Sequence, residues 1–250
     1  MCTVVVCHRP GSAVPLLFAG IRDEMIGRAW EPPGRHWDAY PGLIGGRDLL
    51  ADGTWMALNP AEGRVAGVLN GRGTDADERG RRSRGELPLR AAATGDLDVP
   101  EAELAHFDAF HLVLGDRSGV RMWSWDGSAL KPAGLDPGTH TVVNTGIDSD
   151  EPRAARFASL FAATPPTPRL AGGTVQTPAE AWGEWLPLAE GDGLSFDDPA
   201  AVIHHRPLPD GRIWGTTSVS LVAIGDGGVR YDFSGRPGDS GAWRTLLPVG

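Results

Sequence analysis

An α+β fold with two packed β-sheets covered by helices is predicted for this chain, on three observations. Strand-like segments gather toward both ends of the sequence, helical patterns fall between them, and Gly- and Pro-rich turns separate neighbouring strands. An alternating parallel sheet would instead interleave strands and helices one for one. The 250 residues, 41% of them apolar, suffice for one sizeable core. With no internal repeat and no obvious linker, residues 1–250 read as a single domain.

The elements follow in order. Residues 2–7, 16–20, 54–59 and 65–70 read as strands, separated by turns. Ser83-Arg84-Gly85-Glu86 has the spacing of a capping box and opens a helix from Leu87 to Ala93, with Pro88 in its first turn. A short helix is expected from Pro100 to about Phe107. Residues 110–114 and 120–125 form a hairpin across Gly115-Asp116-Arg117-Ser118-Gly119. A strand over 141–144 comes next. Glu151 to Ala163 is an amphipathic helix with Phe157, Leu160, Phe161 and Thr164 on one face and Arg153, Arg156 and Ser159 largely opposite. Thr177-Pro178-Ala179-Glu180 combines a capping box with proline at the first helical position, and Trp182, Trp185 and Leu186 form the buried stripe of the helix it opens. Residues 218–224 and 229–233 close the chain as a hairpin turned by Asp226-Gly227-Gly228.

Composition narrows the partner. A net charge of −9 lacks the basic footprint of a nucleic-acid binder, which leaves a small molecule as the expected partner. No apolar stretch reaches the length of a membrane span, and no basic region followed by a hydrophobic segment opens the chain, so a soluble cytoplasmic protein is expected. The two cysteines, Cys2 and Cys7, sit on opposite faces of one strand, about 16 Å apart at the usual rise, which excludes a disulfide between them. No metal site is expected, because the seven histidines avoid the close helical spacings of metal pairs. His204-His205, being adjacent, point in different directions and read as solvated surface.

Cys2 is the residue with chemistry. If Met1 is removed, Cys2 opens the chain, and its α-amine, with a reference pKa of about 8, is a general base on the same residue as the nucleophile. The Val-rich run behind it would hold the thiol at the end of a sheet. A small residue on an extended terminus is the other reading.

Further pieces give the chain a resemblance. Gly20-Ile21-Arg22-Asp23-Glu24, Gly53-Thr54-Trp55, Val68-Leu69-Asn70-Gly71, Arg84-Gly85-Glu86-Leu87, Pro137-Gly138-Thr139, Val143-Asn144 and Trp214-Gly215-Thr216 occur in that order. Together with Met1-Cys2 they resemble the NRDE family, also called the transport and Golgi organisation protein 2 family. The resemblance implies a four-layer αββα sandwich like that of N-terminal-nucleophile hydrolases, the group containing bile-salt hydrolase and penicillin V acylase. It further implies that Cys2 is the nucleophile, that Asp23 orients the α-amine, and that Arg22 stabilises the thiolate. Asn70 and Asn144 become oxyanion donors, a role worth roughly 3 kcal/mol each when aligned. From the residues alone, Arg22-Asp23 also reads as a solvated pair, and Asn70-Gly71 and Asn144-Thr145-Gly146 as turns. The sequence departs from the family at Ile21, where Asn is usual, and at Thr217, where Arg often follows Gly-Thr.

Arg79-Gly80-Arg81-Arg82-Ser83-Arg84 is the one basic cluster in this acidic chain. It reads either as a solvated loop or as an anion clamp in which Arg81, Arg82 and Arg84 grip a carboxylate or phosphate. Two functions follow from different classes. One is a cysteine hydrolase acting on a non-peptide amide or related acyl bond, without a cofactor. The other is a non-catalytic carrier of haem or another hydrophobic anion, in which Cys2, His8, His36, His106, His111 or His140 would ligate iron.

Overall fold

The computed structural model describes residues 2–147 and 150–248. Its strands are β1 (Thr3–His8), β2 (Leu16–Met25), β3 (Trp30–Gly34), β4 (Ile44–Asp48), β5 (Met56–Asn59), β6 (Arg64–Asn70), β7 (Phe110–Asp116), β8 (Val120–Trp125), β9 (Leu130–Leu135), β10 (Gly138–Val143), β11 (Gly146–Ile147), β12 (His205–Pro207), β13 (Ile213–Gly225), β14 (Gly228–Ser234) and β15 (Trp243–Leu247). Its α-helices are α1 (Leu87–Thr94), α2 (Pro152–Ala163), α3 (Pro178–Trp182) and α4 (Trp185–Ala189). These elements make two sheets and fall into two compact units.

The first unit holds the chain up to Arg28, Pro137–Val143, and everything from Ile147 on. Its sheet runs β11-β10-β1-β2-β13-β14-β15, with β12 added to β13. β1 lies between β10 and β2, paired antiparallel to both, and all six of its residues are buried. A central strand covered on both faces must read as an unbroken apolar run, and Val4-Val5-Val6 is such a run. Val5, Cys7, Leu17, Ala19, Leu221 and Ala223 point to the face that α2, α3 and α4 cover with Phe157, Phe161, Trp182 and Trp185. The single helix expected after Thr177 is instead two short ones. Its capping box forms as expected, but Gly183, at φ 49°, breaks the run after Trp182. The break lets both tryptophans become fully buried, with Trp185 Nε1 donating to the Phe161 carbonyl at 2.9 Å.

The second unit, Ala29–Asp136 with Asn144–Gly146, carries a sheet in simple sequence order from β3 to β9. α1 covers one face, placing Leu87, Leu89, Ala91 and Ala92 in a core with Ala57, Ala66, Leu112 and Leu114. Pro88 is tolerated because the first helical turn has no intrahelical acceptor for its missing N–H. The expected helix after Pro100 is a 3₁₀ turn, Glu101–His106. Gly53 and Gly85, both in the family pattern, meet here: Thr54 N–H donates to the Gly85 carbonyl at 2.9 Å. A Cβ on Gly53 would lie 2.5 Å from the Gly85 carbonyl carbon. That close approach explains glycine at both positions.

A buried ion pair ties β14 to its surroundings. Asp232 accepts from Arg230 Nε at 2.5 Å, Trp182 Nε1 at 2.6 Å and Thr245 Oγ1 at 2.5 Å, while Arg230 Nη2 reaches the Gln176 carbonyl at 2.8 Å. Asp232→Ala, which strands the guanidinium, is expected to cost about 3–5 kcal/mol in urea unfolding. Replacing both charges by apolar residues of similar volume should cost much less. Gly53→Ala should lower Tm in scanning calorimetry, because the obstructing atoms are backbone and cannot yield. Gly134→Ala, with open space around the new methyl, should leave Tm nearly unchanged.

Candidate active site

β2 extends past the expected end at Gly20 and carries Arg22 and Asp23 inside the strand, both buried. Alternation then separates them. Thr3 and Asp23 continue the odd-numbered series that faces the helices, whereas Cys2 and Arg22 continue the even-numbered series on the opposite face. Thr3 pairs with Ile21, so one more step along the register sets Cys2 opposite Arg22.

Asp23 is the most heavily held group of the site. Its side chain is 0% exposed, and Oδ2 receives Arg153 Nη1 from the first turn of α2 at 2.7 Å. Oδ1 accepts from Thr216 Oγ1 of β13 at 2.8 Å. His204 Nε2 lies 3.1 Å from Oδ2. Arg153 Nη1 also donates to Thr3 Oγ1 at 3.0 Å, and Thr216 Oγ1 accepts from the His204 backbone N–H at 3.1 Å. Burial alone would raise the carboxyl, but His204 and Arg153 outweigh it and hold the group at about 2.

On the other face, half-buried Cys2 directs Sγ to the Asp23 carbonyl at 3.7 Å. Burial pushes the thiol up and the Asp23 charge adds to that, while the Arg22 guanidinium pulls it down by less. Arg22 Nη1 donates to Thr217 Oγ1 at 3.0 Å, and that hydroxyl lies 3.2 Å from the Arg22 carbonyl. Thr217 is the extra residue of a β-bulge: Thr216 pairs with Asp23 and Ser218 with Arg22. The position at which the sequence lacks the family's usual Arg therefore sits against the Arg22 side chain.

Cys2, Arg22 and Asp23 thus come together within the first unit. Asn70, Asn144 and the arginine cluster belong to the second. Asn70 is the last residue of β6, paired with Phe110, and the chain continues in pairing through Gly71 N–H to the Ala109 carbonyl at 2.8 Å, so no hairpin turn forms there. Asn144 follows the end of β10 in a turn, and its Oδ1 is buried without a hydrogen bond among the described residues. Arg81 pairs with Asp108 at 3.2 Å, Arg82 with Glu86 and Glu103, and Arg84 Nη1 donates to the Ala109 carbonyl at 2.8 Å. The three guanidinium groups fasten residues 81–86 to residues 103–109.

Two residues of the site were expected elsewhere. Arg153 was assigned to the polar side of α2, yet it is 4% exposed, because a first-turn arginine of this helix can reach back to β2. The sequence alone places His204 and His205 both on the surface. Alternation sends His205 out to solvent and turns His204 inward, where its side chain is 14% exposed. That alternation was the one available signal. Met1, whose removal the nucleophile reading requires, lies outside the described residues.

Asp23 also sets an acid limit. Its folded value, about 2 against an ordinary 3.8, means that the unfolded chain binds the proton more tightly. The stabilisation is present above about pH 4 and is lost as pH falls through about 2, a difference of about 2 kcal/mol. Urea unfolding of Asp23→Asn should therefore lack that part of the acid dependence seen in the wild type.

The fold has a relative among solved structures. Penicillin V acylase from Agrobacterium tumefaciens, an N-terminal-nucleophile hydrolase, matches over 99% of this chain and 87% of its own, with a TM-score of 0.53 and 15% identity. At that identity the likeness shows the fold. A comparison with curated protein sequences gives no match to the chain. The family model described as Transport and Golgi organisation 2 matches residues 1–168. Covering about two thirds of the sequence, including Cys2, Arg22 and Asp23, that match shows that the chain belongs to the Transport and Golgi organisation 2 family.

Proposed function

We propose that the chain is an N-terminal-nucleophile cysteine hydrolase-like protein that cleaves a non-peptide amide or a related acyl bond. The observation that carries this reading is Asp23: its carbonyl meets the Cys2 thiol at 3.7 Å, while its carboxylate, held ionised, is positioned by α2 and β13. The four-layer αββα arrangement as one domain belongs to the same reading, supported by the likeness to penicillin V acylase.

In this mechanism removal of Met1 frees the Cys2 α-amine. A thiol pushed up by burial is a weak nucleophile at neutral pH unless a base stands beside it, and that amine is the base. The amine takes the thiol proton as sulfur attacks the substrate carbonyl. The tetrahedral intermediate collapses, the proton passes to the leaving amine, and an acyl-thioester remains on Cys2. Water, deprotonated by the α-amine, attacks the thioester, and the carboxylic acid leaves as the thiol is restored. Ionised Asp23 stabilises the ammonium in each half-reaction and Arg22 the thiolate. Asn70 and Asn144 are the proposed donors to the oxyanion, through their side-chain N–H groups.

The same upward shift of the thiol favours a second reading for chains that keep Met1. A neutral thiol without an adjacent base suits a carrier of haem or another hydrophobic anion, which needs affinity and no free amine.

Intact-mass spectrometry separates the two. Incubation with a panel of acyl amides should give a Met1-less chain bearing an acyl adduct that is absent in Cys2→Ala. Retained Met1, no adduct and a haemin complex would leave the carrier, and an adduct that persists in Cys2→Ala would move the nucleophile to Cys7. Asn144→Ala should lower kcat more than it raises KM, whereas equal losses would remove its oxyanion role.

A further inference from the structure

The second unit carries the parts of a nucleophile of its own. β7 runs between β6 and β8, and its Phe110, Leu112 and Leu114 point into the core that α1 covers, together with Trp123 and Trp125 of β8. Alternation therefore sends His111 and Ser124 to the opposite face. The register sets these two residues directly across from each other, with Leu69 of β6 on the far side of His111 and Lys131 of β9 on the far side of Ser124. One row across the sheet thus holds an imidazole, a hydroxyl and an ammonium. The first two are half-buried, which leaves both within reach of a ligand.

A histidine on a central strand must place both ring nitrogens. Nδ1 lies 2.8 Å from Ser124 Oγ, and the ring also donates to the Asn144 backbone carbonyl. Each ring nitrogen has one in-plane direction, so the donation to Asn144 belongs to the nitrogen that Ser124 does not occupy. In the neutral ring that nitrogen carries the proton, Nδ1 is the acceptor, and the Ser124 hydroxyl donates to it. Burial pushes the imidazole below its ordinary 6.5 by more than the Asn144 bond lifts it, which keeps the ring neutral near pH 7. A hydroxyl that donates to a neutral imidazole, itself oriented by a third group, has the geometry of an activated nucleophile. Lys131 stands beside it, since directly opposed residues have Cβ atoms about 5 Å apart. The Lys131 side chain is 73% exposed, and its ion pair with Asp126 at 3.5 Å is of the solvated kind that contributes little, so the ammonium can turn to a charge developing at Ser124.

We propose that Ser124 is a second nucleophile of this protein, an acyl acceptor for small esters, with His111 as its base and Lys131 as the cation that meets the oxyanion. As Oγ attacks the ester carbonyl, His111 Nδ1 takes the hydroxyl proton. The tetrahedral intermediate collapses with cleavage of its bond to the alkoxy oxygen, Nδ1 returns the proton to that oxygen, and the alcohol leaves an acyl-serine behind. Water entering by the reverse steps releases the acid. An ester is the substrate class because an alkoxide leaves more readily than an amide nitrogen, and one exposed cation is a modest oxyanion site. The proposal stands on the second unit by itself and does not depend on the hydrolase reading of Cys2.

The test uses the full chain carrying Cys2→Ala, so that the Cys2 thiol takes no acyl group. It is incubated with 4-nitrophenyl acetate and, separately, with a fluorophosphonate, which modifies activated serine hydroxyls. The chain should gain one acetyl or one phosphonyl group, mapped by peptide mass spectrometry to Ser124, and Ser124→Ala should remove it. His111→Gln, whose amide can still bridge Ser124 and Asn144 but cannot take a proton, should slow the modification about hundredfold. Lys131→Met should slow acetylation by a smaller factor, and an unchanged rate would strike the lysine from the site. Acetyl groups spread over exposed side chains with none faster at Ser124, no phosphonylation of Ser124, or a rate at Ser124 indifferent to His111→Gln would overturn the proposal. The hydrolase reading is tested apart from this, by an acyl adduct on Cys2 of the wild-type chain, and it can fail while Ser124 is still labelled.

Discussion

A carboxylate kept ionised in the interior must be met by opposite charge and hydrogen bonds from every side, and Asp23 places that demand on the first unit. Its partners come from well-separated parts of the chain: Arg153 from α2, Thr216 from β13 and His204 from the segment before β12. Breaking a buried pair of this kind by removing one partner is severe because it strands the other charge. The sheet, the first turn of α2 and the segment around residue 204 are therefore fixed together by one side chain. That side chain also belongs to the residue whose carbonyl meets the Cys2 thiol. The candidate site is not an addition to a finished scaffold, since its central residue helps to hold that scaffold together.

The second buried pair, Arg230 with Asp232, shows the same logic without the chemistry. It is enclosed by Trp182, Gln176 and Thr245 and lies in β14 rather than beside Cys2. Comparable burial and pairing thus occur twice in one sheet, and a buried pair alone does not mark a site. What separates Asp23 is its place beside Cys2, whose thiol meets its carbonyl.

Much of the fold was legible because apolar alternation reports strands directly. β1, β6, β7, β8, β13 and β14 lie where Val, Leu, Phe and Trp alternate or run together. β3 and β9 were not legible: Trp30-Glu31-Pro32-Pro33-Gly34 and Leu130-Lys131-Pro132-Ala133-Gly134-Leu135 carry prolines and few apolar residues, as edge strands can. The capping box at Thr177 could be read, but not the stop at Gly183, because the packing of Trp182 and Trp185 on the sheet is a tertiary event. Cys2, Arg22 and Asp23 could be singled out by motif. Arg153 and His204 could not, because an arginine opposite an apolar helix face and a histidine beside another both read as solvated until the buried carboxylate that recruits them is in place.

The bulge at Thr217 carries a consequence of its own. Beyond it, β13 sends its odd-numbered residues to the helices; before it, even-numbered Thr216 takes that side and meets Asp23. One unpaired residue has inverted the parity of the strand, so the pairing of Thr216 with Asp23 is encoded by chain length as much as by residue type. A substitution at position 217 changes a contact to Arg22, whereas a deletion there would turn the whole preceding stretch of β13 over and bring the wrong side chains to both faces of the sheet at once. Side-chain identity is free to drift at this position in a way that the spacing between residues 216 and 218 is not.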